Sequence, residues 1–61
     1  MTKTFIVQTG EWEKDVRMVT DNFENAMKKA KFIEEDEIVT MVEIVTWENE
    51  KEVDRIVTYY F

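Results

Sequence analysis

The chain contains no cysteine, histidine, proline, serine or leucine, and it has a single glycine, Gly10, in 61 residues. Without Cys there are no disulfides and no thiolate metal sites, and without Cys and His the familiar zinc sites are excluded. Without Ser, Cys or His there is no ordinary pairing of nucleophile and base. Only Thr, Tyr, Lys and carboxylates remain for chemistry, so the expectation is a non-enzymatic protein with no catalytic residues, no metal and no cofactor. Positive charge is also scarce: fourteen acidic residues against eight basic ones give a net charge of -6. That balance opposes phosphate backbones and anionic lipid surfaces, so neither direct nucleic-acid binding nor a membrane partner is expected. No stretch approaches the ~20 apolar residues of a membrane span, and Met1 to Phe5 lack the apolar core of a signal peptide. The expected location is therefore the cytoplasm.

What the chain does have is an abundance of β-branched and aromatic residues. Its length implies one small domain, residues 1–61, near the size at which roughly 60% of the unfolded surface can be buried. Thr4 to Thr9 reads as a first strand ending at Gly10, which marks a turn, and Asp15 to Val19 reads as a second. With Gly10 to Glu13 as the turn, Thr9 faces Lys14, Val7 faces Val16 and Phe5 faces Met18. The opposite face then holds Ile6 and Val19 beside Thr4, Arg17 and Gln8.

Between Thr20 and about Glu35 the apolar period lengthens. Phe23, Ala26, Met27, Ala30 and Ile33 fall on one helical stripe. Thr20, Asp21 and Asn22 are all competent N-caps, and Asp21 with Glu24 has capping-box spacing. Lys28, Lys29 and Lys31 lie toward the C-terminal end and complement the helix dipole. Phe32 points away from the stripe, so either the helix frays before it or its ring is exposed.

Glu37 to Trp47 and Glu52 to Phe61 read as two long strands of a second hairpin, with a two- or four-residue loop within Glu48 to Lys51. That loop pairs Thr46 with Val53, Val42 with Val57, Thr40 with Tyr59 and Ile38 with Phe61. This face, with Ile44 and Arg55, is the expected core face, and a one-residue change of register would flip one strand's set. The predicted fold is α+β, in the order β-β-α-β-β: a four-stranded, mainly antiparallel sheet with one helix packed on one face and strand order 2-1-3-4.

A sheet has two faces, and one helix dries only one of them. The helix side is assigned Phe5, Val7, Val16, Met18, Ile38, Val42, Ile44, Val57 and Phe61. The uncovered side is assigned Ile6, Val19, Val39, Met41, Val45, Trp47, Ile56 and Tyr60, interrupted by Glu43 and Asp54. Exposed together, these apolar residues would exceed the few hundred Å² of contiguous apolar surface usual on a monomer. A homodimer through this face is the expectation, with Trp47 and Tyr60 as anchors. The alternatives are a different protein as the partner, or cover from strand twist, long Glu and Lys stems and the loop containing Trp12.

Three further features invite a role. Acidic clusters at Glu11 to Asp15, Glu34 to Glu37 and Glu48 to Asp54 suggest a mimic of nucleic acid that blocks a DNA- or RNA-handling protein, a binder of hard cations, or a solvated surface with charge-protected edges, and a calcium loop's alternating oxygen ligands around a glycine are lacking. Lys28, Lys29, Lys31 and Phe32 form a basic and aromatic patch fit to dock an acidic partner, which adds Phe32 to the candidate interface. Glu43 and Asp54 are expected near one another, where one carboxyl's pKa would rise. A small-ligand-binding oligomer, with paired sheets enclosing a pocket, is a further possibility. The segment Val19 to Ala30, following a hairpin, resembles small uncharacterised ββαββ proteins of bacteriophage and mobile-element type. That resemblance implies a virus-encoded accessory protein, working in the host cytoplasm as an inhibitor or modulator of a host protein.

Overall fold

The structure, a computed structural model, describes residues 2–61. The elements are β1 (Thr4–Thr9), β2 (Asp15–Thr20), α1 (Phe23–Asp36), β3 (Met41–Glu48) and β4 (Lys51–Tyr60). All neighbouring strands pair antiparallel in the order β2-β1-β3-β4, so the chain is an α+β fold with the expected ββαββ arrangement. The crossover from β2 through α1 enters the sheet beside β1 and places β3 at its centre.

Of the three candidate caps, Asn22 is the one used: its side chain accepts a hydrogen bond from the Asn25 amide at 3.1 Å. The Asn22 amide in turn donates to the Thr20 hydroxyl. The stripe Ala26, Ala30 and Ile33 is buried against Val7, Val42 and Ile44 of the two central strands. Two alanines at the contact let the helix lie close to the sheet, and each large residue of this cluster contributes about 1.5–3 kcal/mol by burial. Phe5, Met18, Val39 and Tyr59 pack around it, and the Phe5 and Phe23 rings meet edge to face at 5.2 Å. Phe32 lies within the helix and is exposed.

Both turns take up positive φ. Gly10 has φ +94°, and a Cβ there would run into the Glu13 carbonyl. The second hairpin closes on two residues, Asn49 and Glu50, both left-handed at φ 54° and 64°, with Glu48 opposite Lys51. That geometry is a type I′ turn, whose twist matches that of the flanking strands.

β-Bulges account for most departures from the expected faces. Next to the hairpin loop, Trp47 pairs with Glu52, as a regular two-residue hairpin requires. An extra residue at Val53 then shifts the register by one, and another at Thr58 shifts it again. Between them Asp54 to Val57 are turned over: Ile56 and Asp54 face the helix side, opposite Ile44 and Thr46, while Arg55 and Val57 face the other way. In the first hairpin, Thr9 pairs with Asp15 rather than Lys14, which carries Val16 to the open face opposite Gln8. A bulge at Arg17 restores Met18 to the helix side, opposite Val7. β3 begins only at Met41, so Ile38 lies fully exposed in the α1–β3 connection while Val39 packs on the core. Phe61 lies beyond β4 and is exposed.

Candidate interaction face

The sheet face away from α1 carries Ile6 and Gln8 from β1, Val16 and Val19 from β2, Met41, Glu43, Val45 and Trp47 from β3, and Arg55, Val57 and Tyr60 from β4. Its centre is polar. Glu43 is only 1% exposed. It accepts a hydrogen bond from Gln8 Nε2 at 2.5 Å, lies 3.0 Å from Lys14 Nζ and 3.4 Å from the Arg55 guanidinium. Burial disfavours the Glu43 carboxylate, but the bonds from Gln8 and Lys14 and the charges of Arg55 and Lys14 outweigh it and hold the pKa below the ordinary glutamate value. Arg55 is oriented by Glu52, 2.9 Å away.

The bulge at Val53 explains how this cluster is possible. In an unbulged β4, Asp54 would share the face with Glu43 and repel it; the shifted register puts Arg55 there instead. Glu43 and Asp54 therefore lie on opposite faces, and the expected carboxylate pair does not form.

The loop between β1 and β2 folds over one end of the face. The Gly10 amide donates to the Met41 carbonyl, Lys14 reaches both the Gly10 carbonyl and Glu43, and the Tyr60 hydroxyl donates to Glu11 at 2.7 Å. That bond to a carboxylate raises the Tyr60 pKa. Met41 and Val45 are buried within the single chain at 8% and 3% exposure, so the uncovered surface is smaller than the sequence pattern implies. Trp12, in the same loop, is itself 90% exposed.

Of the expected interface residues, Val19, Trp47 and Tyr60 remain on this face with substantial exposure, and Ile6 is half-buried there. Val39 and Ile56 belong to the helix side, and Phe32 stands apart on α1. Val16 and Val57 join the exposed set. Nothing local in the sequence marks either as surface, because bulges set their sides. Lone Glu43 in an apolar strand was the legible hint, since a carboxylate there requires a base beside it.

The remaining features resolve simply. Lys29 Nζ lies 5.5 Å from the Phe32 ring, and both border a shallow depression with Met18, Asn25 and Lys28. Arg17, freed from the ladder by its bulge, clasps both Glu37 oxygens at the end of α1, and these hydrogen bonds lower the Glu37 pKa against opposing desolvation. Among the described residues no group of acidic side chains is arranged to hold a metal ion, and no helix is long and apolar enough to cross a membrane. Comparison with protein-family models, curated proteins and solved structures gives no match to this chain.

Proposed function

We propose that the protein is a non-enzymatic interaction module that self-associates through the open sheet face and, as a homodimer, modulates another protein. The observation that carries this reading is a face that is nearly charge-balanced on a strongly acidic chain. The charged groups bonded across it are Glu11, Glu43 and Glu52 against Lys14 and Arg55, a net of -1 out of the chain's -6. Two copies can approach there with little mutual repulsion.

The central cluster suits cover by a second copy. Among the described residues no side-chain polar atom already buried lacks a partner, and the charges that a second copy would cover, Lys14, Arg55 and Glu52, are each already paired with an opposite charge. Val16 and Val19 on one flank, Val57 and Tyr60 on the other, and Trp47 at one end supply apolar contact. The molecule measures 35 × 23 × 14 Å, and a face bounded by the two longer axes offers up to about 800 Å², the area each partner contributes to a standard interface.

The test is the oligomeric state by sedimentation or light scattering across a wide concentration range. The reading expects a dimer that Trp47→Glu and Val19→Glu convert to monomer while leaving the fold intact by circular dichroism. A clean monomer at high micromolar concentration, unchanged by Trp47→Glu, contradicts it.

A further inference from the structure

α1 rests on the sheet through Ala26, Ala30 and Ile33. Asn25, Lys28, Lys29 and Phe32 recur at i, i+3, i+4 and i+7, which gathers them on a different strip of the helix surface. With Met18 of the edge strand β2 they line one shallow depression of about 350 Å³. Burial does not account for its aromatic residue: Phe32 is 54% exposed, with Lys29 Nζ 5.5 Å from its ring. Met18, half-buried beside the core cluster, supplies a second apolar surface.

The charge of this depression runs against that of the chain. Two lysines and no acid line it, on a molecule whose net charge is -6. Among the described residues Lys28, Lys29 and the neighbouring Lys31 enter no salt bridge, whereas Lys14, Arg17 and Arg55 all do. Glu37 lies within electrostatic reach of Lys29, but Arg17 already clasps both of its oxygens. The helix dipole does not account for these lysines either. Its influence is confined to the end turns, and α1 runs on to Asp36 with no basic residue in its last turn.

We propose that this depression is the docking site for a short acidic segment of a partner protein, in which one aromatic or aliphatic side chain stands between carboxylates. The apolar side chain packs on Phe32 and Met18 while the carboxylates meet Lys28 and Lys29. The volume is at the small end for a binding pocket and suits a single anchoring side chain. A polyanion fits less well, because nucleic acid or an anionic bilayer extends past the lysines onto the acidic excess of the chain and is repelled there. The loop Glu11-Trp12-Glu13 of a second copy has related chemistry, but its Glu11 is held by the Tyr60 hydroxyl at the open face. Docking here presupposes the reading that the protein acts on another protein. It does not presuppose self-association, because the helix side stays open when the open face is covered.

The probe is a short labelled peptide, blocked at both ends, with one Phe between pairs of Glu, followed by fluorescence anisotropy. Counterparts carry Gln in place of Glu, or Ala in place of Phe. Lys28→Gln with Lys29→Gln removes both lining charges, and Phe32→Ser removes the ring. Lys3→Gln with Lys51→Gln, two exposed lysines elsewhere, matches the change in net charge. Circular dichroism melts establish that each variant folds. The Glu peptide is expected to bind, to lose about tenfold or more in affinity with Lys28→Gln and Lys29→Gln, and about fivefold or more with Phe32→Ser. Lys3→Gln with Lys51→Gln is expected to stay within about twofold of wild type, and the Gln and Ala peptides to bind at least about tenfold more weakly. No binding up to millimolar peptide, or binding that Lys28→Gln with Lys29→Gln leaves unchanged, overturns the proposal even if the protein is a dimer. A short oligonucleotide that binds more tightly than the peptide and is lost with the same substitutions also overturns it, by assigning the lysines to nucleic acid. So does a wild-type dimer that Phe32→Ser dissociates, by assigning the depression to a second copy. A wild-type monomer that binds the peptide with the expected dependences supports the site and contradicts self-association alone.

Discussion

Glu43 is the residue on which the open face is organised. A carboxylate in the middle of the central strand is stable there because Gln8, Lys14 and Arg55 converge on it from three different segments. Glu43→Gln keeps the shape but removes the charge, leaving Lys14 and Arg55 without their shared partner. Both are partly wet, at 32% and 44% side-chain exposure, so water takes over part of the lost interaction. The expected cost is about 1–3 kcal/mol near neutral pH, read as a drop in thermal midpoint. Because the folded-state pKa of Glu43 lies below its unfolded value, its contribution is fully present above the unfolded value of about 4.3 and is lost as pH falls through the folded one. Melts of wild type and Glu43→Gln should therefore draw together as the pH is lowered from neutral to below the ordinary glutamate value; a gap that stays constant contradicts the assignment. The sequence shows that an acid interrupts an apolar strand. It does not show which base answers it, because Lys14 comes from a loop and Arg55 arrives only through a bulge.

The elements themselves were largely legible. β1 matches its predicted bounds, the strand order is the expected one, and of the predicted stripe Ala26, Ala30 and Ile33 are buried while Phe23 and Met27, at its edge, stay about two-fifths exposed. Periodicity and turn chemistry are local signals, and local signals survive into the fold. Registers were less legible, because an extra residue at Arg17, Val53 or Thr58 turns over the strand beyond it without any glycine or proline to announce the change. The N-cap was ambiguous for a related reason: Thr20, Asp21 and Asn22 are chemically equivalent candidates, and the end of β2 at Thr20 selects among them. Asn22→Ala should cost about 0.5–2 kcal/mol, while Asp21→Ala, which removes no cap, should lie within about 0.5 kcal/mol of wild type. Urea titration of the two variants checks this, and equal losses would mean a different cap. Glu50 sits at φ 64° in the I′ turn, where glycine carries no steric penalty. Glu50→Gly is expected to stabilise by about 0.5–1 kcal/mol in the same titration, the relief of left-handed strain exceeding the added chain entropy.

At the scale of the whole molecule, one helix on a four-stranded sheet leaves two kinds of surface. The open face is partly closed by its own loop and by a satisfied polar centre, and its apolar residues flank that centre. The strip along β4 on the helix side, where Phe23, Met27, Val53 and Ile56 are exposed, has no such cover. Association through the nearly neutral open face should depend weakly on salt. The sequence pattern of apolar residues on both strand faces was correct in implying surplus apolar surface. It misplaced part of that surplus, since Met41 and Val45 are buried within one chain, while Ile56, Phe23 and Met27 are the ones left at the helix side.

Sedimentation equilibrium of wild type, Trp47→Glu and Met27→Gln, from low to high micromolar concentration, tests the central claim most directly. The account predicts a dimer for wild type and for Met27→Gln and a monomer for Trp47→Glu. A wild-type monomer throughout that range, or a dimer indifferent to Trp47→Glu, would contradict it.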